Sequence, residues 1–267
     1  MHRPIPARPS LSVSVVIPVK DDAAHLRQCL AALRRQTVAA DELIVVDNGS
    51  SDTSADVAAA NGARVVRCDR PGIPAAAATG YDVASGDLIL RLDADCLPDD
   101  AWIEGVVDAF AQHPRIAVFT GGARFVDGPR ALRSSLAAAY LLAYAAATLP
   151  TLGHLPLFGS NLAFHRSAWL AVRSGVHRDD PELHDDLDLA FHLGERHRIR
   201  RLPQARMGIS MRPFLSGRAF LRRIVRGFRT VLRHWPQDFP PVRWVRLALR
   251  RILRRLGVAK PAPIGRR

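Results

Sequence analysis

The chain has 267 residues, of which 48% are hydrophobic and 24% are charged, enough for one large domain or a domain with an appendage. Its net charge of +13 is unevenly spread: residues 1–195 hold 17 basic and 24 acidic side chains (net −7), and residues 196–267 hold 21 basic and one acidic side chain (net +20). An acidic body with a basic tail differs from a uniformly basic nucleic-acid-binding protein, so we expect no nucleic acid as partner and an anionic surface for the tail.

The cysteines and the apolar runs narrow the class of protein further. Cys29, Cys68 and Cys96 are scattered and odd in number, so they match neither a disulfide framework nor a zinc site and favour a reducing compartment. No segment reaches the roughly 18 uninterrupted apolar residues of a membrane-spanning helix. The apolar run at 13–17 is too short for the core of a signal peptide, and we expect a strand there.

The first hundred residues alternate between strand and helix patterns. Strands are predicted at 13–17, 43–46, 63–67 and 87–92, with helices between them that end near residues 36, 60 and 84. This rhythm predicts parallel strands joined by helical crossovers. Ligands of such sheets bind beyond the carboxyl ends of the strands, where Pro18, Asp47, Asp93 and Asp95 lie.

Asp93 and Asp95 are the most informative pair in the chain. They follow a buried strand, one residue apart, and can therefore point into the same cleft. Carboxylate oxygens suit hard divalent cations such as Mg²⁺ or Mn²⁺, which in turn bind diphosphates. Alone, an Asp-x-Asp triplet is commonly a solvated turn or a helix cap.

The middle of the chain continues the pattern less regularly. A helix is predicted to about residue 111, a strand at 116–119, a short strand at 162–164 and a helix at about 184–196. Residues 131–149 are mostly apolar, with Tyr140 and Tyr144 one turn apart, and we expect a buried or interfacial helix rather than a spanning one.

Two helices are predicted in the tail, one over 218–235 and a second after 236–241. Each has apolar residues at helical spacing and arginines on the opposite side. Basic amphipathic helices with Trp and Leu commonly lie in a membrane interface, so we predict that residues 216–256 contact an anionic membrane. Each basic residue would contribute about 1 kcal/mol there. The alternatives are a helix packed on the body with a solvated arginine face, and nucleic-acid binding, for which no motif accompanies the charge.

Five motifs in order resemble the family 2 glycosyltransferases of GT-A fold. They are VVIPVKD (15–21), IVVDNGSSD (44–52), GDLILRLDAD (86–95), GSNLAFHR (159–166, similar to "GxNxAFRR") and HDDLDLA (184–190, similar to "EDxDLxxR"). The resemblance implies an α/β, Rossmann-like GT-A domain over 11–215, with a mainly parallel mixed sheet flanked by helices. A tail at 1–10 precedes it, and a basic amphipathic helical tail at 216–267 follows it.

The resemblance also implies a donor site for a nucleotide-diphosphate sugar. Asp47 would accept a hydrogen bond from the base edge, with Pro18 and Val19 as walls of the base pocket. Asp95 would hold Mg²⁺ or Mn²⁺, and Asp93 the ribose or the metal. Without the other motifs, Asp47 could equally well be a cap for the helix that begins near residue 52.

The reaction implied by the resemblance is an inverting transfer to an acceptor hydroxyl. Asp186 would act as general base, and Asp185 and Asn161 are weaker candidates for the donor or acceptor cleft. Asp185, Asp186 and Asp188 could instead be favourable charges at a helix start. His184 and His192 are expected to be surface or packing residues rather than ligands.

The chain departs from the family pattern at two positions. Ala77 stands where relatives often carry an arginine that approaches the donor phosphates; Arg70 or Arg91 would have to compensate, or the diphosphate depends on the metal alone. Lys20 stands where an aromatic residue is common, which leaves base stacking open. A processive "QxxRW" motif is not clearly present, which predicts transfer of a single sugar.

Two other functions are alternatives. A sugar-phosphate nucleotidyltransferase usually has a glycine-rich, basic loop after the first strand, and residues 18–22 do not form one. A non-catalytic, membrane-associated scaffold is favoured by Ala77 and opposed by the intact acids. For the transferase, the tail predicts a lipid-linked or membrane-proximal acceptor and a cytoplasmic protein on the inner face of the cell membrane.

Overall fold

The computed structural model describes residues 11–214 and 216–256. The predicted tail at 1–10 and the last part of the basic tail, 257–267, lie outside the described residues. The strands are β1 (Val13–Val19), β2 (Glu42–Asp47), β3 (Arg64–Arg67), β4 (Leu88–Arg91), β5 (Leu97–Pro98), β6 (Val118–Phe125), β7 (Leu162–His165) and β8 (Ile199–Ile209). The α-helices are α1 (Ala23–Arg34), α2 (Ser54–Ala60), α3 (Ile73–Val83), α4 (Trp102–Gln112), α5 (Arg133–Leu152), α6 (Arg166–Val172), α7 (Asp185–Arg196), α8 (Gly217–Arg233) and α9 (Pro240–Arg255).

Within the described ranges the strands form one sheet in the order β3-β2-β1-β4-β7-β6-β8-β5. Strands β1 to β4 run parallel, and Val15 lies opposite Leu43 of β2 and Leu90 of β4. Strand β7 is antiparallel to both β4 and β6, while β6 and β8 are parallel. The predicted mainly parallel mixed sheet is therefore confirmed.

The core lies on both faces of this sheet because neighbouring strand residues point to opposite sides. Val15 packs in the cluster that contains Trp102 of α4, and Val16 packs in the cluster that contains Trp169 of α6. The two faces are thus covered by helices, which explains why β1 and β4 read as continuous apolar runs. All three cysteines are buried and free.

Helix α6 and strand β8 were not predicted from the sequence. Strand β8 opens with two arginines and a proline within its first five residues, a pattern that does not indicate a strand. It forms because β6 continues from the predicted end at Phe119 to Phe125 and pairs with it along most of its length. Pairing between residues about 80 apart leaves no local signal.

Helix α5 is the predicted apolar segment, but it is not buried. Only Ala137, Thr148 and Leu152 are buried among its residues, and Leu142 is 72% exposed. Among the described residues, the stretch Arg130–Leu152 is long and apolar enough to cross a membrane, judged by length and composition alone.

Several arginines of α8 and α9 form ion pairs with the body, while most apolar residues of the two helices face solvent. Arg226 and Arg229 of α8 pair with Glu182 and Asp180 at 3.2 Å, and Arg246 of α9 pairs with Glu195 at 3.1 Å. The exposed apolar residues include Phe220, Leu221, Ile224, Val225, Phe228 and Leu232 of α8, and Val242, Trp244, Val245, Leu249, Ile252 and Leu253 of α9. We call this set the apolar outer face. Its exposure differs from the alternative in which the apolar residues of the tail pack on the body.

Candidate functional site

Asp93, Asp185 and Asp186 lie together at the edge of the sheet where β4 ends. The turn at Gly159–Asn161 precedes the antiparallel strand β7 and therefore reaches the same edge, as does the start of α7. A cavity of about 110 Å³ opens there. Its polar lining consists of Arg91, Asp93, Ser160, His184, Asp185, Asp186, Arg223 and Arg226, and its walls include Tyr140, Tyr144 and Phe158.

Arg91 connects the two acidic motifs. It is only 2% exposed, its Nη2 lies 2.8 Å from Asp93 Oδ1, and its Nη1 lies 3.0 Å from Asp185 Oδ2. Burial disfavours the charged form, but Asp185 and Asp93 outweigh it and raise the pKa of the guanidinium. Gly159 makes room for this side chain, because a Cβ at that position would overlap Arg91 Nη1.

Asp186 is buried at the start of α7 and is held on both oxygens. The Gly159 N–H donates to Oδ2 at 2.8 Å, and His184 Nδ1 lies against Oδ1. Burial would raise the pKa of Asp186, but contacts with His184, then Arg91 and the Gly159 N–H, lower it to about 2. The carboxylate is therefore ionised and able to accept a proton.

His184 is the electrostatic partner of that carboxylate. Burial disfavours the imidazolium, but Asp186, and beyond it Asp185, outweigh burial and raise the pKa of His184 above 6.5. The ring of His184 lines the cavity beside Asp186 and stacks on Tyr144, so it packs in the site itself. A histidine directly before two acids is the sequence signal that could have suggested this pairing.

Asp93 and Asp95 lie together with Cys96, with one ligand atom of each within 4.8 Å of the others. Ser160 Oγ donates to Asp93 Oδ2 at 2.6 Å, whereas Asp95 Oδ2 lies 2.9 Å from Arg212 Nη2. Burial and the neighbouring Asp93 raise the pKa of Asp95. Two crowded carboxylates of this kind are a donor set that a hard divalent cation would stabilise.

The predicted base-pocket residues lie along the same edge, on neighbouring strands. Val19 of β1 is opposite Asp47 of β2, and both Pro18 and Val19 are buried. Asp47 Oδ1 accepts a hydrogen bond from the Ser50 N–H at 3.0 Å. It closes that turn and does not cap α2, where Asp52 Oδ1 accepts from the Ser54 N–H at 2.9 Å. None of these residues lines the cavity at Asp186.

Asn161 does not reach the cleft, which corrects the expectation from its motif. It is fully buried, its Oδ1 accepts from Trp102 Nε1 at 2.9 Å, and its Nδ2 donates to the Gly122 carbonyl at 2.8 Å. Its amide joins β6 and α4 to the turn before β7. Asp185, the other weaker candidate, does line the cavity.

The three acids of α7 have separate surroundings. All three lie in its first turn, as the helix-dipole alternative predicts, yet Asp185 and Asp186 also face the cavity. Asp188 instead contacts His177, at 2.7 Å, and His234, at 2.9 Å.

Several cleft residues were not predicted as site residues. Tyr140 and Tyr144 come from α5, and Arg223 and Arg226 from α8. Of the two arginines expected to compensate for Ala77, Arg91 lines the cavity, while Arg70 forms an exposed ion pair with Asp179. The one-turn spacing of the two tyrosines was visible in the sequence, but nothing local links it to the acids.

Comparison with known proteins agrees with this geometry. The model of glycosyl transferase family 2 matches residues 14–170, more than half of the chain. The glycosyltransferase AglE of Haloferax volcanii is 36% identical over 100 residues, covering 34% of this chain and 33% of that protein. The pre-mycofactocin glycosyltransferase of Mycobacterium tuberculosis is 32% identical over 211 residues, covering 73% of this chain and 42% of that protein.

The chain thus spans about a third to two fifths of the length of these curated relatives. Among solved structures, glucosyl-3-phosphoglycerate synthase from Mycobacterium tuberculosis, in complex with Mn²⁺, UDP-glucose and phosphoglyceric acid, superposes with a TM-score of 0.52. The identity is 24%, and the match covers 82% of this chain and 80% of that chain. This likeness shows a shared fold.

Proposed function

The chain belongs to glycosyl transferase family 2, and on that basis we propose that it transfers a sugar from a nucleotide-diphosphate donor to an acceptor hydroxyl. The observation that carries this proposal is the convergence of Asp93, Asp185 and Asp186 around buried Arg91 in one cavity. Carboxylates that converge in a cleft favour a bound cation, and a divalent metal that accompanies the anionic donor diphosphate would supply that charge.

Asp186 is the proposed general base. Its ionised carboxylate takes the proton of the acceptor hydroxyl while that oxygen attacks the anomeric carbon. One C–O bond forms to the acceptor, and the bond from the anomeric carbon to the diphosphate oxygen breaks on the opposite face. The electron pair leaves with the nucleotide diphosphate, and this single displacement inverts the anomeric centre.

Asp95 and Asp93 would hold Mg²⁺ or Mn²⁺, and the raised pKa of Asp95 supports a site that favours a cation. When bound, such a cation would offset the charge on the departing diphosphate. Asp95 is the stronger ligand candidate because Asp93 is already engaged by Arg91 and Ser160. Arg212 neutralises Asp95 in this structure and would yield that role to the metal.

Arginines from α8 complement this acidic edge. Arg223 and Arg226 line the cavity together with Arg91, at positions where they can meet donor phosphates. Guanidinium groups bind phosphate oxygens through charge-assisted hydrogen bonds. They would supply the positive charge that relatives draw from an arginine at the position of Ala77. On the nucleoside side, we place the base between Pro18, Val19 and Asp47.

The apolar outer face supports a membrane-proximal acceptor. Phe228 is 68% exposed and Val245 is 61% exposed, and monomeric soluble proteins rarely expose large contiguous apolar patches. Helix α8 carries both this face and the arginines of the cleft, so its insertion in a bilayer interface would bring the cleft to the surface of the lipid. A lipid-linked hydroxyl compound is therefore the acceptor class that we propose.

A mass-spectrometric donor screen tests the function. The protein is incubated with Mn²⁺, a panel of nucleotide sugars and a lipid extract as acceptor pool, and nucleotide diphosphate release is measured. We expect release from at least one donor by the wild type, and none by Asp95→Ala or Asp186→Ala variants with unchanged circular dichroism. Wild-type turnover in both variants would exclude this mechanism.

A further inference from the structure

A second group of metal-ligating side chains lies on the side of α7 away from the cleft. His177 comes from the segment before α7, Asp188 and His192 are one turn apart on α7, and His234 follows α8. One ligand atom of each lies within 4.8 Å of the others. We propose that these four residues bind one structural Zn²⁺ ion, separate from the cation expected at Asp93 and Asp95.

The distances between the side chains suit a tetrahedral site. Asp188 Oδ1 lies 2.7 Å from His177 Nδ1, 2.9 Å from His234 Nε2 and 3.8 Å from His192 Nε2. Ligands about 2.0–2.1 Å from a tetrahedral Zn²⁺ are separated from one another by roughly 3.3 Å. The observed separations from Asp188 Oδ1 lie on both sides of that value, and all four ligand atoms lie within 4.8 Å of one another, so small side-chain shifts would place them around one ion.

Hydrogen bonding within the cluster leaves one buried nitrogen unsatisfied. His192 Nε2 is inaccessible to solvent and has no hydrogen-bond partner, because Asp188 Oδ1 is already occupied by His177 and His234. Buried polar atoms without a partner are rare because they cost free energy. A bound cation gives this nitrogen a partner, together with the other three ligand atoms.

The surroundings hold the proposed ligands in place. His234 Nδ1 lies 3.3 Å from Asp238 Oδ2, the carboxylate–histidine contact that commonly orients a metal ligand. Asp188 Oδ2 accepts from the His177 N–H at 2.9 Å, and this bond would orient the carboxylate when the ion replaces the contacts that His177 and His234 make with Oδ1.

The donor set selects the metal. Three imidazoles and one carboxylate favour Zn²⁺ over Mg²⁺ or Mn²⁺, which prefer oxygen ligands, as at Asp93 and Asp95. All four positions come from the protein, which is typical of structural rather than catalytic zinc. The ion would link the end of α8 to α7 at Asp188, two residues after Asp186. It would thereby hold in place the helix that brings Arg223 to the cleft.

Metal analysis of the full chain, purified without a polyhistidine tag, tests the site. We expect about one equivalent of zinc per chain, as a four-ligand site requires. The variants His192→Asn and His234→Asn should lose this metal. His113→Asn, a histidine outside the cluster, and Asp95→Asn should retain it.

A Co²⁺ titration of metal-stripped wild type is the second measurement, and it does not depend on how the variants fold. We expect the intense visible absorption of four-coordinate Co²⁺, abolished by competing Zn²⁺. Zinc-free wild type with no Co²⁺ absorption would overturn the site, as would a folded His192→Asn variant with the zinc content of the wild type. Neither readout uses transferase activity, so the outcome is independent of the proposed function.

Discussion

Arg91 Nη1 lies 3.0 Å from Asp185 Oδ2, and this ion pair joins the strand that ends at the acid pair to the helix that carries Asp186. The same guanidinium contacts Asp93 at 2.8 Å, so one buried cation sets the spacing of both acidic motifs. Its position explains how motifs about 90 residues apart form one site.

Loss of Arg91 should destabilise the fold strongly. Arg91→Met leaves Asp93 and Asp185 without their buried counter-charge, and breaking a buried ion pair in this way typically costs about 3–5 kcal/mol. Urea unfolding followed by circular dichroism measures the free energy of unfolding. The matched control is Arg124→Met, whose exposed pair with Asp99 should be worth about 1 kcal/mol or less. Equal losses in the two variants would contradict the role of Arg91.

The pairing of His184 with Asp186 predicts a pH dependence of transfer. The imidazolium lowers the basicity of Asp186, so kcat/KM should rise as pH increases through the pKa of His184, which is raised above 6.5. A His184→Gln variant keeps a hydrogen-bonding side chain and should lose this limb of the pH profile. An unchanged limb in the variant would assign the titration to another group.

The pair of His184 and Asp186 should also make the stability of the fold depend on pH. Because the folded chain raises the pKa of His184, the charged pair stabilises the fold fully below 6.5 and its contribution disappears as pH rises through the folded value. Thermal unfolding of wild type and His184→Gln should therefore differ most at acidic pH and converge at alkaline pH. A difference independent of pH would indicate a packing effect alone.

Arg223 should contribute to donor binding. A hydrogen bond to a charged group is worth about 1.5–3 kcal/mol, so Arg223→Ala should raise the donor KM by roughly 10- to 100-fold. The control is Arg222→Ala, an exposed neighbour on α8 that does not line the cavity. Similar donor KM values for the two variants would show that Arg223 of α8 does not contribute to donor binding.

The apolar outer face should drive membrane binding. Leu221, Phe228 and Leu232 are 60%, 68% and 59% exposed, so replacing all three by Ser should leave the fold intact. Each such side chain contributes about 1.5–3 kcal/mol when buried, and the triple variant should not float with neutral or anionic vesicles. In contrast, Arg218, Arg222 and Arg233 replaced by Gln should weaken only the binding to anionic vesicles. Vesicle binding at the wild-type level by the triple Ser variant would exclude insertion of the apolar outer face.

The parts of the fold that the sequence predicts are those with local signals. Apolar runs such as that of β4, ended by Asp93, and the strand–helix rhythm placed the parallel half of the sheet and the acid pair correctly. Strand β8 could not be predicted, because its stability comes from pairing with β6 rather than from its own residues.

The site was partly predictable for the same reason. Asp185 and Asp186 were identified from their motif, but the choice of Arg91 over Arg70 depends on packing across the sheet. Asn161 was assigned to the cleft although its side chain holds Trp102 in the core. The basic character of α8 is evident from its sequence, yet only the tertiary structure shows that Arg226 and Arg229 pair with acids of the body.

Isothermal titration with UDP, GDP and dTDP, with and without Mn²⁺, measures whether the protein binds a nucleotide diphosphate and whether that binding depends on the metal. The wild type should bind at least one of these diphosphates only when Mn²⁺ is present. Asp95→Asn should lose that binding, whereas Asp186→Asn should keep it, because the general base does not hold the donor. Absence of Mn²⁺-dependent binding in the wild type, or wild-type affinity in Asp95→Asn, would contradict the account.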